Sequence, residues 1–286
     1  MFGLRSDGKK VKNIDPFMRL VPHIMFHRND AMVMQLQEID CENMDKYILE
    51  KRKSEGLRLT YMDICMASFV RVVSMRPKLN RFIVNGRIFK RNNIQISLAV
   101  KKRLTDEAEE TTIKLTFDGS ESIKEVMDKV HKTVNENKGD IKNETDNIAK
   151  ILTRVPNFFI KVMVRFLMWM DKHGMLPKKV IDASPFHTSI FLVNLKSIKM
   201  ETVYHHIYNF GTTGIFVSMG KETLEPRVID LATKEIGVKK IMKMGIVIDE
   251  RISDGLYNSL SLREFKKIME NPYILDERNE NVVLDD

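Results

Sequence analysis

The spacing of apolar side chains divides the chain into alternating helical and extended stretches. From Asn43 to Arg52, and again from Leu59 to Met75, apolar positions recur at helical intervals. The second stretch crowds Tyr61, Ile64, Cys65, Ala67, Phe69, Val70 and Val73 onto one broad face, so two helices are predicted. Between Arg81 and Val100 the texture changes to the short pieces RFIVN, GRIFK and NIQISLAV with Gly86 as a turn residue, which predicts strands and a hairpin. Thr111 to Phe117 alternates as a half-buried strand does. Ser120 to Asn137 then returns to helical period, with Ser120 or Ser122 as its cap. The polar stretch Gly139 to Lys150 fits either a loop or the amphipathic start of the next helix. From Ile151 to Met170 apolar residues run nearly all the way round a helix, with Asn157, Lys161 and Arg165 recurring on one narrow stripe and Gly174 and Pro177 as its stop. The blocks HTSIFLVNL, GIFVSMG and MKMGIVID read as buried strands, and Leu262 to Met269 as a closing helix. No repeat or low-complexity linker interrupts this order, which predicts a mixed α/β or α+β fold in one domain.

Composition narrows the picture. A chain of 286 residues, 43% hydrophobic and 30% charged, buries a sizeable core, which excludes a disordered, fibrous or disulfide-stapled protein. Lys and Arg outnumber Asp and Glu by 47 to 39, a formal charge of +8 that suits a phosphate-bearing ligand, nucleic acid or an acidic membrane surface. The basic runs Lys51-Arg52-Lys53 and Lys101-Lys102-Arg103 have no interleaved aromatic residues, which argues against nucleic acid. Cys41 and Cys65 are too few for a disulfide framework and suit core thiols in a reducing cytosol. The first residues turn polar after four positions and lack the apolar stretch of a secretory signal, so a cytoplasmic location is expected. The segment Ile151 to Met170 carries Arg154, Lys161 and Arg165 and does not read as a membrane span. Packing within the protein or self-association is the favoured expectation for it, ahead of contact with an anionic membrane surface.

The most informative stretch is GIVIDERISDGLYNSLSLREFKKIM, Gly245 to Met269, where an apolar strand runs into Asp249-Glu250-Arg251, two spacer residues and Asp254-Gly255 before a helix. It resembles the D-H-R-x-x-D-G signature of the catalytic domain of 2-oxo acid dehydrogenase acyltransferases (dihydrolipoamide acyltransferases), related in fold to chloramphenicol acetyltransferase. Leu20 to Ile24 is similar to that family's I-P-H segment and Glu38-Ile39-Asp40 to its E-V-D triplet. Leu59 to Asp63, Arg76 to Asn80 and Ile94 to Val100 resemble the following segments in order. Ser189 to Leu195, ending in Asn194-Leu195 and followed by Ser197-Ile198, resembles its S-N-L strand.

The resemblance implies a chloramphenicol acetyltransferase-like fold with a mixed central sheet flanked by helices, a homotrimer or higher assembly, and acyl transfer between a coenzyme A thioester and a thiol or small acceptor. No metal is expected, because His205 and His206, adjacent in an extended stretch, point to opposite faces and no spaced Asp, Glu or Cys ligand stands beside them. In the family a histidine acts as general base and a hydroxyl stabilises the oxyanion. This chain has Glu250 at the histidine's position, a carboxylate of ordinary pKa about 4.3, which burial would raise and a neighbouring Arg251 would hold ionised. The hydroxyl carries over to Ser189 if the Asn-Leu pair sets the register, or to Thr188 if Pro185 does. Asp249, Arg251, Asp254, Gly255 and Asn194 match the family as structural positions, with an internal ion pair between Asp254 and Arg251 one expectation. Tyr204-His205-His206 falls where the family places residues near its active-site channel, so His205 and His206 are candidates to share proton transfer with Glu250. The first 15 residues contain no D-K-A lysine motif, and no bound lipoyl group is expected. A helical insertion at about 140–182 departs from the family. The alternative to an acyltransferase is a catalytically inactive pseudoenzyme of this fold that serves as a binding or scaffolding protein.

Overall fold

The computed structural model describes residues 5–101, 110–137 and 155–285. In chain order the elements are β1 (Gly8–Lys10), α1 (Pro16–Ile24), β2 (Met32–Asp40), α2 (Glu42–Glu55), α3 (Tyr61–Met75), β3 (Arg81–Val84), β4 (Arg87–Arg91), β5 (Ile94–Lys101), β6 (Glu110–Phe117), α4 (Ile123–Glu136), α5 (Asn157–Lys172), α6 (Lys178–Ala183), β7 (Ile190–Asn194), β8 (Ile215–Asp230), β9 (Glu235–Asp249) and α7 (Gly255–Glu270). The stretch Gly139 to Lys150 lies outside the described residues, as do residues 151–154.

Six strands form the main sheet in the order β2-β9-β8-β7-β5-β6, and β1, β4 and β3 form a smaller one. β7 runs parallel to both β5 and β8 and the other pairs are antiparallel, so the sheet is mixed. Its register aligns Ile96, Ile190, Ile215 and Ile248 in one row across four strands, all four buried in the main core. One face of the sheet is covered by α3, α4 and α7, where Phe69 stacks on Phe265 at 4.1 Å between ring centres. On the opposite face Phe191, Phe216 and Val247 pack against Ile207.

Local chemistry explains where the helices begin. Thr60 and Asp63 form a reciprocal capping box for α3, and Ser122 with Glu125 does the same for α4, which chooses Ser122 over Ser120 as the cap. α7 starts at Gly255, seven residues before the periodic stretch that marks it in the sequence, because the Asp254 carboxylate accepts from the Tyr257 backbone N–H at 2.9 Å. α1 was not anticipated from periodicity. Asp15 caps it and Pro16 opens it, while Pro22 within it breaks the apolar pattern.

Two further departures matter. β8 and β9 extend into a long hairpin well beyond the buried runs, and its outer half leaves Leu224, Val228, Ile236 and Val238 exposed. The outer part of β8 alternates Leu224-Glu225-Pro226-Arg227-Val228, but its apolar side faces outward, and a strand reading based on buried runs stops before it. The expectation that the Ile151–Met170 helix packs within the chain fails as well: α5 leaves Phe158, Phe159, Val162, Phe166 and Trp169 exposed. Among the described residues, no helix is long and apolar enough to cross a membrane.

Candidate functional site

One rim of the main sheet gathers the starts of β2, β5, β7 and β8 and the end of β9. Backbone bonds run across it from Ser189 N–H to the Gln95 carbonyl, from Ile215 N–H to Ser189, from Asp249 N–H to Gly214 and from Glu250 N–H to Ala31, all between 2.8 and 3.2 Å. This ladder puts Ser189 and Glu250 on the same edge two strands apart, about 10 Å by ordinary strand spacing. The family-like segments, more than 50 residues apart in sequence, therefore meet at one end of the sheet.

Within the D-E-R-I-S-D-G turn, three neighbours take different roles. Asp249 is buried and receives a fork from Arg251, with Nε to Oδ1 at 2.8 Å and Nη2 to Oδ2 at 2.7 Å. Arg28, itself buried, approaches the same carboxylate at 3.8 Å. The internal ion pair anticipated for Asp254 is thus made by Asp249, since Asp254 is exposed and serves as the α7 cap. Arg251 also donates to the carbonyls of Met25 and Phe26, so its guanidinium is committed away from Glu250. Glu250 is half-buried, and among the described residues no hydrogen bond or ion pair engages its carboxylate.

The two candidate hydroxyls are occupied. Thr188 Oγ1 donates to the Gln95 carbonyl at 2.8 Å, and Ser189 Oγ donates to Asn80 Oδ1 at 2.5 Å while accepting from the Gln95 N–H at 2.9 Å. Both residues are fully buried and tie β7 to β5. His205 and His206 face different surroundings: His205 stacks on Phe216 at 4.7 Å between ring centres, whereas the exposed His206 meets the edge of Tyr208. The structure does not bring the pair together. Asn194 Oδ1 accepts from Ser197 N–H and caps the turn after β7. No group of three potential metal ligands occurs among the described residues. Both cysteines are buried, and burial pushes the Cys41 thiol up to about 11, which removes it as a thiolate nucleophile at neutral pH.

Beside this rim opens a cleft of about 700 Å³. Arg251 and Arg28 stand in its floor. Its walls come from the end of α1 and the residues after it (His23, Phe26, His27), the β3–β4 turn, the loop through Gly211, and the end of α5 (Trp169, Lys172). The C-terminal end of α5 therefore forms part of the cleft. His27 was not singled out in the sequence, and only its convergence with His23 and Trp169 marks it, since alone it is an ordinary surface residue.

Under the floor lies a chain of buried charge. Asp171 at the end of α5 meets Arg5 at 2.7 Å and His187 at 3.1 Å, while Arg5 forks Asp7, which faces Arg91 at 3.9 Å. Burial pushes the His187 imidazole down, against the pull of Asp171. His187 Nδ1 lies 2.8 Å from the Ser184 hydroxyl, while its Nε2 faces Asp171 at 3.1 Å without a well-aligned hydrogen bond. Burial opposes ionisation of Asp171, but His187 and Arg5 outweigh it and hold the carboxyl below its usual range. A histidine with a lowered folded pKa takes up fewer protons than the unfolded chain, so stability falls as pH drops below about 6.5. The Asp171 contribution is lost only at more acidic pH, below about 4. Urea unfolding followed from pH 7 to 4.5 is expected to show this decline, at most about 1.4 kcal/mol per pH unit for one proton. His187→Gln should flatten it. An equal slope in the variant would assign the acid sensitivity elsewhere.

Gly211 in the cleft wall holds φ +86°, and a Cβ there would lie 2.3 Å from the Phe186 carbonyl oxygen, which itself accepts from the Thr212 and Thr213 N–H groups. Gly211→Ala is expected to cost about 1–3 kcal/mol through backbone strain alone. Gly255 has no neighbour within 4 Å of its would-be Cβ, so Gly255→Ala should change stability by no more than about 0.5 kcal/mol. Thermal unfolding of the two variants measures the contrast. Equal losses would show that the Gly211 site relaxes.

No family model and no curated protein sequence matches the chain. Solved structures do. A probable dihydrolipoamide acetyltransferase from Listeria monocytogenes 4b F2365 is similar with TM-score 0.57 at 16% identity, over 96% of this chain and 99% of that one. The Azotobacter vinelandii dihydrolipoamide acetyltransferase gives TM-score 0.57 at 10% identity, over 93% and 94%. A chloramphenicol acetyltransferase gives 0.53 at 11% identity, over 92% and 99%. With its six-stranded mixed sheet, its helical layer and its rim of strand ends, the chain has the chloramphenicol acetyltransferase-like fold that these acyltransferases share.

Proposed function

We propose that the chain is an acyltransferase that moves an acyl group between a coenzyme A thioester and a thiol or small acceptor. The observation that carries this reading is the position of Glu250. Its carboxylate stands on the rim with no partner inside the described chain, while its neighbours Asp249 and Arg251 neutralise each other, and Arg251 borders the cleft. In the proposed reaction the acceptor sulfur or oxygen attacks the thioester carbonyl and passes its proton to the Glu250 carboxylate. The carbon–sulfur bond to coenzyme A then breaks, and the proton returns to the departing thiolate. Lys172 in the cleft wall supplies positive charge, and His23 and His27 supply ring nitrogens able to hydrogen-bond, for the phosphates of coenzyme A.

A homotrimer is part of the proposal, supported by the exposed apolar side chains of the β8–β9 hairpin, which sedimentation would test. One observation favours a second reading, a scaffold that binds without turnover: the Thr188 and Ser189 hydroxyl protons are both given to internal acceptors, and an oxyanion donor must be freed from one of them. Thiol release from acetyl- and longer acyl-coenzyme A, measured against a panel of thiol and alcohol acceptors, separates the two. Acceptor-dependent release supports transfer. Coenzyme A binding by calorimetry without release supports the scaffold, and the absence of both would overturn each reading.

A further inference from the structure

We propose that α1 and α5 together form a docking face for an anionic lipid bilayer. Each helix turns large apolar side chains outward: Phe17, Leu20 and Ile24 on α1, with Phe26 just beyond it 74% exposed, and Phe158, Phe159, Val162 and Phe166 on α5, with Phe158 69% exposed. The two faces are not separate patches. Phe26 on one side and Trp169 on the other line the same cleft, so both flank a single opening.

Charge selects the occupant. α1 carries Arg19 and α5 carries Lys161, Arg165 and Lys172, all exposed. The one acidic residue in the two helices is Asp171, which is buried and held by Arg5 and His187. What the face presents is therefore aromatic and aliphatic bulk edged by cations, the composition that suits the headgroup boundary of an acidic bilayer, where lysine and arginine stems lie along apolar surface and their charges reach phosphate. A second copy meeting this face with the same face would set cation against cation, and a heterologous contact with another surface of a second copy is the competing occupant that the oligomer measurement decides. At 16 residues α5 is about 24 Å long, shorter than a bilayer core of about 30 Å, and its mid-helix Lys161 and Arg165 require it to lie in the plane. Docking in this way sets the cleft mouth against the lipid surface and requires no turnover.

Flotation of the full chain with vesicles tests this directly, using phosphatidylcholine alone and a two-to-one mixture of phosphatidylcholine with phosphatidylglycerol. Co-flotation with the mixed vesicles, lost at high salt and weak with phosphatidylcholine alone, is expected. Trp169 is the single tryptophan of the chain, and its emission should shift to the blue as the helix enters the interface. Lys161→Glu with Arg165→Glu should lower binding roughly tenfold or more, at about 1 kcal/mol per cation removed. Phe158→Ser with Phe159→Ser should weaken it at unchanged charge, and thermal unfolding checks that both pairs remain folded. No flotation with unchanged Trp169 emission would overturn the proposal. So would a concentration-dependent oligomer that dissociates in the Phe158 and Phe159 variant, because a second copy would then own the face.

Discussion

Replacing Asp249 with alanine is expected to destabilise the protein by about 3–5 kcal/mol, because it leaves buried guanidinium groups without their counter-charge. Asp249 and Arg251 are 1% and 4% exposed at their side chains, and both oxygens of the carboxylate are taken by the Arg251 fork. Arg28 depends on the same carboxylate. Burial already lowers its pKa to about 10 in spite of Asp249, which marks how strongly its environment opposes the charge. At about 2–4 °C per kcal/mol for a chain of this size class, the melting temperature should fall on the order of 10 °C. Asp254→Ala removes only an N-cap acceptor and should cost about 1 kcal/mol. The pairing is falsified if the two substitutions cost the same. Exchanging Asp249 and Arg251 together for apolar residues of similar volume should recover much of the loss, since the pair as a whole contributes far less than either half left unpaired.

Under the proposed acyl transfer, Glu250→Gln is expected to lower turnover by about 10²–10⁴-fold, the usual contribution of a positioned proton acceptor. That corresponds to about 3–5 kcal/mol of barrier. Stability should hardly move, within about 0.5 kcal/mol, because no described residue bonds to the carboxylate and the Glu250 backbone N–H still reaches Ala31. The combination of a large kinetic effect and a small thermodynamic one distinguishes a proton carrier from a structural residue. Glu250→His places an imidazole of ordinary pKa about 6.5 at this position and should keep or raise turnover. Turnover unchanged in both variants would move the base elsewhere, and His206→Ala then tests the exposed alternative. Loss of stability in Glu250→Gln would recast the residue as part of the turn.

Much of the fold was legible because local pattern and burial agree. α2, α3 and α4, and the inner halves of β8 and β9, carry one-sided or continuously apolar runs, and each has a tertiary neighbour that buries that side. Where they disagree, reading along the chain misleads. α5 is apolar nearly all round, the composition of a buried helix, yet it stands exposed. α1 is broken by Pro22, the mark of a non-helical segment, yet Asp15 and Pro16 start it firmly.

The site divides along the same line. The D-E-R-I-S-D-G turn was recognisable from order alone, because strand, turn and cap are set by residues within about seven positions of one another. Roles within it were not. Asp249 and Asp254 differ little as sequence, and only the surrounding protein, which buries the first beside Arg251 and Arg28 and exposes the second at a helix start, assigns the ion pair and the cap. Thr188 and Ser189 look equally available until Gln95 and Asn80, about a hundred residues earlier, are seen to hold their protons. The amino-acid sequence by itself determined most of the elements, because these follow from side-chain periodicity and short-range hydrogen bonds, while the mixed sheet and the identity of the turn were implied by the ordered resemblance. Only the tertiary structure decided which charges are matched, which hydroxyls are spent, and that apolar α5 stands open beside the cleft, because burial and pairing are properties of groups distant in sequence that meet through the fold.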